Sequence, residues 1–171
     1  MSDQSQETKI KQWYSQALHE EFNPFIKLWI AFNGWYKLKF PNTRTDREAI
    51  NKCKQDDELL RYYQRSFSNE RFCRYMEILG KELEREPLKN TTRPRERGLK
   101  LDNMEDEEGN ISFLDNTKEA MGSYLEVLYR ARCNLFHCGK SPTSDRDKLI
   151  IECCFNTLSV IMKNIVDNLE E

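Results

Sequence analysis

The helical spacing of the apolar residues most constrains what this chain can fold into. In almost every segment these residues recur three or four positions apart, as Phe72, Met76 and Leu79 do, and that spacing places side chains on one face of an α-helix. The alternation typical of a half-buried strand is weak and confined to residues 99–101 and 111–113. The sequence therefore predicts an all-α fold, an up-and-down helical bundle with at most a small hairpin.

Helix-start signals divide the chain into seven predicted helices, the first over residues 7–21. Thr45 and Glu48, like Asn116 and Glu119, have the spacing of a capping box, in which a side chain at each end satisfies a free backbone N–H group. Further caps are predicted at Asn23, at Asp56 or Asp57, at Ser68 and at Ser144.

The second predicted helix is apolar on two faces. Phe25 and Trp29 lie on one face and Ile26 and Ile30 on the other, which predicts a central, largely buried helix. Gly34 inside it costs about 1 kcal/mol relative to alanine, so we expect another backbone to pack closely there.

Length, charge and composition set limits on the function. A chain of 171 residues is expected to form one domain, with an irregular insertion over residues 87–115. The net charge of −2 is not typical of a nucleic-acid-binding protein, so any site for a polyanion must be a local basic patch.

The sequence also indicates a compartment. Its polar N-terminus lacks the apolar segment of a signal peptide, and no apolar run approaches the ~20 residues that a membrane span needs. We therefore expect a cytoplasmic protein with reduced cysteines, of which Cys153 and Cys154 would be core residues. No Cys-x-x-Cys pair is present, so no metal site and no cofactor are predicted.

One short segment carries a candidate chemistry. Arg130 and Arg132 precede His137 near the end of an apolar-periodic helix, with four residues between Arg132 and His137. An arginine can hold a phosphate, and a histidine titrates near neutral pH and can transfer a proton. Together they could cleave RNA without a metal. Alternatively, His137 merely caps the helix and Arg132 pairs with a surface carboxylate.

The same segment resembles the signature of a known family. Residues 132–140 read Arg-Cys-Asn-Leu-Phe-His-Cys-Gly-Lys and are similar to the motif of the HEPN superfamily, in which four to six residues separate an arginine from a histidine. Residues 28–36, rich in tryptophan and other aromatic residues, look like the second helix of several HEPN branches. The resemblance implies a helical bundle and a metal-independent ribonuclease site. It also implies a homodimer whose two motifs face each other, and a role in antiviral defence or as a toxin, often beside a nucleotidyltransferase antitoxin.

The resemblance and, for the basic cluster in the insertion, the local charge assign an expected role to each candidate residue. Arg132 would stabilise the phosphate and His137 would act as general acid and base, with Asn134 positioning the phosphate or the histidine. The expected RNA-binding residues are Arg130, Lys140, Arg93, Arg95 and Arg97, although a solvated loop without a partner is equally compatible with the last three. Two alternatives stay open: an inactive HEPN module that binds RNA, a nucleotide or a partner protein, and an enzyme with Cys133 as nucleophile.

Overall fold

The computed structural model describes residues 23–101, 116–136 and 144–169, and every structural statement below refers to these ranges. They contain six helices: α1 (Asn23–Lys39), α2 (Asp46–Cys53), α3 (Asp57–Ser66), α4 (Glu70–Arg85), α5 (Lys118–Phe136) and α6 (Asp145–Leu169). No strand occurs within the described ranges, so the all-α prediction is confirmed there. The helix predicted over residues 7–21 lies outside the described residues.

Polar side chains fix where several helices begin, as the sequence predicted. The Thr45 hydroxyl accepts a hydrogen bond from the Glu48 N–H at 3.1 Å, and Asp56 Oδ1 accepts one from the Leu59 N–H at 2.7 Å. The capping box is not reciprocal, because the Glu48 carboxylate accepts from the N–H of Arg44 instead. Ser144 caps α6 through the N–H of residue 147.

Two predicted caps are wrong by one residue. Asn69, and not Ser68, caps α4, because the Ser68 hydroxyl donates to the Arg65 carbonyl at the end of α3. Thr117, and not Asn116, caps α5 by accepting from the Ala120 N–H at 3.2 Å. In both places two neighbouring residues can cap the helix, and the residue at which the backbone becomes helical determines which of them does.

Helix α6 lies at the centre of the core, where it packs against α1, α3, α4 and α5. Its buried face includes Cys153, Cys154, Leu158 and Ile165, whereas Leu169 at its C-terminal end is 62% exposed. Contrary to the expectation from sequence, α6 is long and apolar enough to cross a membrane by length and composition alone. Just over half of that apolar stretch is buried inside the protein, as in the core helix of a bundle.

Only one face of α1 is buried, so the prediction of a largely buried helix is wrong. Phe25, Trp29 and Phe32 are almost fully buried, whereas Ile30 is 63% exposed, because α1 packs on α2 and α6 from one side. The expected close approach at Gly34 is also not found: a Cβ there would have no described atom within 4 Å.

The first part of the 87–115 insertion forms a closed loop. Leu88 and Leu99 exchange two backbone hydrogen bonds of 2.7 and 2.8 Å as an isolated antiparallel bridge. Gly98 is required beside it, because a Cβ would come 2.7 Å from the Cβ of Pro87. We call residues 89–98 the bridged loop. The hairpin that the sequence allowed within 99–113 falls largely outside the described residues.

Candidate functional site

The C-terminal half of α5 directs its polar side chains to different neighbours. Arg130 faces the bridged loop and is only 12% exposed. Its Nη1 donates to the carbonyl oxygens of Arg97 at 2.9 Å and Leu88 at 3.3 Å, and its Nη2 lies 3.5 Å from the Glu96 carboxylate. Arg130 therefore holds the base of the loop and presents one nitrogen to the loop's acidic residue.

Arg132 faces α2 instead. Its Nη2 lies 3.5 Å from Asp46 Oδ2, and its guanidinium lies over the Phe136 ring at 4.6 Å. The buried Nε has no hydrogen-bond acceptor among the described residues. A guanidinium carries five N–H donors, and among the described residues only Asp46 and the Cys133 sulfur accept from Arg132, over long distances of 3.5 and 3.8 Å.

Asp46 connects this arginine to α1. The Asn33 amide donates to Asp46 Oδ1 at 3.1 Å and also to the Tyr36 hydroxyl. Burial raises the pKa of Tyr36 well above its ordinary value, so this hydroxyl stays neutral at physiological pH. Asp46 is therefore fixed from both sides and holds the Arg132 guanidinium toward the end of α5.

Asn134 is buried and bonded to the bridged loop. Its Oδ1 accepts from both the N–H and the hydroxyl of Thr91, at 3.2 and 3.0 Å, and its Nδ2 donates to the Lys89 carbonyl at 2.9 Å. These bonds make Asn134 an anchor for the loop. The predicted role of holding a phosphate would have to use the second hydrogen of Nδ2, and the side chain is only 1% exposed.

His137 and Lys140 lie outside the described residues. The approach of His137 to Arg132, and any contact between Lys140 and RNA, therefore stay predictions. Cys133 lies 3.8 Å, Sγ to Nη1, from Arg132, but a cysteine mechanism would also depend on His137 and is equally untested.

A pocket of about 320 Å³ opens between the bridged loop, α2 and α5. The described residues that line it are Arg47, Asn90, Thr92, Arg93, Glu96, Tyr129, Arg130 and Cys133. Its size falls at the lower end of the range for small-molecule sites. Of the three loop arginines predicted to bind RNA, only Arg93 lines it, while Arg95 and Arg97 are exposed on the loop.

The Glu96 carboxylate is held by three donors at this pocket. Asn90 Nδ2 donates to it at 2.9 Å, Arg93 Nη1 at 3.2 Å, and Arg130 Nη2 lies at 3.5 Å. The hydrogen bonds from Asn90 and Arg93, with the charges of both arginines, lower the pKa of Glu96. Glu96 therefore remains ionised and occupies an anion position between two arginines.

Arg47 forms the opposite wall with Tyr129. The Arg47 guanidinium lies 4.3 Å from the centre of the Tyr129 ring and pairs with Glu126, which also pairs with Lys54. Burial acts to raise the pKa of Glu126, but the Lys54 hydrogen bond and the Arg47 charge outweigh it, and the pKa is lowered. Sequence reasoning missed Arg47 and Tyr129, because neither belongs to a motif and they come from distant parts of the chain.

The described residues also bear on the predictions for a metal site and for the cysteines. No group of three or more histidine, cysteine, aspartate or glutamate side chains is placed there to hold a metal ion. Cys153 and Cys154 are fully buried, which confirms their interpretation as core residues. No family model, curated protein or solved structure matches this chain.

Proposed function

We propose that this protein is a metal-independent endoribonuclease of the HEPN type that uses Arg132 and His137. The observation that best supports the proposal is the incomplete hydrogen bonding of Arg132, with its buried Nε unpartnered among the described residues and its ion pair to Asp46 as long as 3.5 Å. Leaving a buried donor unpaired costs about 1–3 kcal/mol. The Arg132 side chain is still 25% exposed, so a phosphate oxygen could approach its terminal nitrogens and accept charge-assisted hydrogen bonds from them.

The proposed reaction is an internal transesterification of RNA. His137 removes the proton of a 2′-hydroxyl, and the resulting oxygen attacks the adjacent phosphorus while the bond to the 5′-oxygen breaks. Protonated His137 then returns a proton to that leaving oxygen, which gives a 5′-hydroxyl and a 2′,3′-cyclic phosphate. Arg132 stabilises the extra negative charge on the phosphorane. Stabilisation of developing charge by a fixed, preorganised group is usually the largest single contribution to catalysis.

The neighbouring residues would position Arg132 and the bridged loop. Asp46 orients the Arg132 guanidinium, while Asn134 and Arg130 hold the bridged loop against α5. In the proposed homodimer two such helix ends meet across a two-fold axis, which doubles a sparse active site without new sequence. An antitoxin, such as a nucleotidyltransferase, is the proposed partner of this dimer.

A second candidate function is favoured by the pocket beside Glu96. Three arginines line it against one glutamate, so it can attract an anion even if Arg132 and His137 do not cleave. In this case the protein is a catalytically inactive module that binds RNA, a nucleotide or a partner protein.

A cleavage assay separates the two functions. The full chain is incubated with mixed RNA in EDTA, beside the Arg132→Ala and His137→Ala variants and an Arg130→Ala variant. We expect cleavage by the wild type that leaves 2′,3′-cyclic or 3′-phosphate ends, loss of cleavage in the first two variants, and a smaller effect in the third.

Circular dichroism and the melting temperature of each variant distinguish lost chemistry from lost folding. Cleavage that requires added magnesium or manganese would contradict the mechanism, and so would cleavage of 2′-deoxy substrates. RNA binding without any cleavage would favour the second function.

A further inference from the structure

The pocket beside Glu96 has an excess of positive charge. Arg47, Arg93 and Arg130 line it with Glu96 as the one acidic lining residue among those described, which leaves two uncompensated positive charges. Including the ion pairs behind Arg47 does not change the balance, because Lys54 adds one cation and Glu126 one anion.

The position of the Glu96 carboxylate indicates where an anion fits. Its oxygens accept from an amide and lie near two guanidinium groups, yet the approach to Arg130 Nη2 is long at 3.5 Å. Arg130 is fixed by two backbone carbonyls. Arg93 is 75% exposed and its described side-chain contact is to Glu96, so Arg93 can turn toward a ligand at little cost.

We propose that this pocket binds a phosphomonoester, the terminal phosphate of a nucleotide or of an RNA strand, which displaces the Glu96 carboxylate from Arg93 and Arg130. A phosphomonoester carries about two negative charges at pH 7 and matches the uncompensated charge of the pocket. A backbone phosphodiester carries one. The volume of about 320 Å³ exceeds what a phosphate group alone fills, so a sugar and part of a base fit beside it.

This inference does not rest on the proposed cleavage. The phosphate site would be present in a protein that only binds, and a cleaving protein could lack it. Binding is therefore measured by calorimetry on the full chain without any RNA turnover, and substitutions in the pocket itself decide whether the ligand binds there.

Four ligands are compared to test whether binding depends on the charge of the phosphate group. We expect 5′-AMP to bind, inorganic phosphate to compete with it, cyclic 3′,5′-AMP to bind about tenfold more weakly because it is a monoanion, and adenosine not to bind measurably in the millimolar range. Equal affinity for 5′-AMP and cyclic AMP would overturn the proposal, as would no binding of 5′-AMP.

A short 2′-O-methyl RNA, which has no free 2′-hydroxyl and so cannot be cleaved by this mechanism, is compared with and without a 5′-phosphate to identify the source of the phosphate. Preference for the phosphorylated strand supports recognition of a strand end. Binding of 5′-AMP with no difference between the strands supports a free nucleotide.

Three matched substitutions test the residues. Arg93→Gln should weaken 5′-AMP binding about tenfold, as expected for a lost charged hydrogen bond. Glu96→Gln should strengthen binding about two- to fivefold, the range that exposed ion pairs cover, because the competing carboxylate is gone while a side-chain oxygen still accepts from Asn90. Arg61→Gln removes the same charge from α3, away from the pocket lining, and should change little.

The Glu96 variant is the decisive one. A folded Glu96→Gln protein, with the wild-type melting temperature, that binds 5′-AMP more weakly would refute displacement of the carboxylate. An Arg61→Gln effect as large as that of Arg93→Gln would show that net charge, and not the pocket, determines affinity.

Discussion

Replacing Asn134 with alanine should destabilise the protein by about 2–3 kcal/mol. The side chain is 1% exposed and makes three hydrogen bonds to the bridged loop, two with Thr91 and one with the Lys89 carbonyl. Each such bond contributes about 1 kcal/mol net. Thr91 and Lys89 lie near solvent, so water can replace part of the hydrogen bonding that they lose. The expected destabilisation is therefore smaller than for three polar groups left buried without a partner.

Urea denaturation and thermal melting measure this effect. For a chain of this length a loss of 1 kcal/mol lowers the melting temperature by about 2–4 °C, so Asn134→Ala should melt roughly 5–10 °C below wild type. Asn156→Ala is the matched control, because Asn156 is only partly buried and its amide donates to the carbonyl one turn earlier in α6, at Glu152. We expect that control to stay within about 0.5 kcal/mol of wild type.

The two variants also separate anchoring from chemistry. If Asn134→Ala and Asn156→Ala have the same stability, the loop does not depend on the Asn134 amide and our reasoning is wrong. If Asn134→Ala keeps wild-type stability but loses RNA cleavage, the residue takes part in the reaction as the sequence suggested.

Three further predictions concern stability. Gly34→Ala should raise the free energy of unfolding by about 0.5–1 kcal/mol in urea titrations, because alanine favours the helix and a Cβ meets no described atom within 4 Å; a loss of stability would indicate a neighbour at that face. Gly98→Ala should lower it by about 1–2 kcal/mol in the same titrations, since the new Cβ would come 2.7 Å from Pro87, and a neutral result would show that the loop shifts freely. The pKa of Glu126 is lowered in the folded protein. Its ion pairs therefore stabilise the fold fully at pH values above the ordinary glutamate pKa of about 4.3, and this stabilisation is lost as the pH falls through the lower pKa of the folded state. Glu126→Gln should therefore flatten the acid limb of a stability-against-pH curve, and an unchanged limb would contradict the assignment.

The sequence was most informative where the chemistry is local. Thr45, Asp56 and Ser144 cap helices as predicted, because a cap depends on a side chain and an N–H group a few residues away. The positions of Ser68 and Asn116 could not be fixed in the same way, since a second capping residue follows each of them. The exposure of Ile30 depends on which side of α1 the other helices cover, and no periodicity within α1 contains that information.

The candidate site likewise has a part that depends on local sequence and a part that depends on long-range contacts. Arg132 was selected from a motif, but its partner Asp46 on α2 could not be predicted from that motif, because the two residues meet only in the folded chain. The pocket needed tertiary structure, because Arg47 on α2 meets Tyr129 on α5 only after the chain has folded. The burial of Asn134 was likewise hidden, since its partners Lys89 and Thr91 lie in a segment whose composition suggested irregular structure.

The Leu88–Leu99 bridge has a consequence for how this protein can be altered. Because the bridge closes the loop at its base, the length of the tip can change at small entropic cost, about 0.6 kcal/mol for each doubling. Residues 92–96 could therefore be lengthened, shortened or exchanged while Lys89, Thr91 and the Arg97 carbonyl that Arg130 binds stay as they are. Ligand preference could therefore diverge between variants through this segment while the helices keep their arrangement.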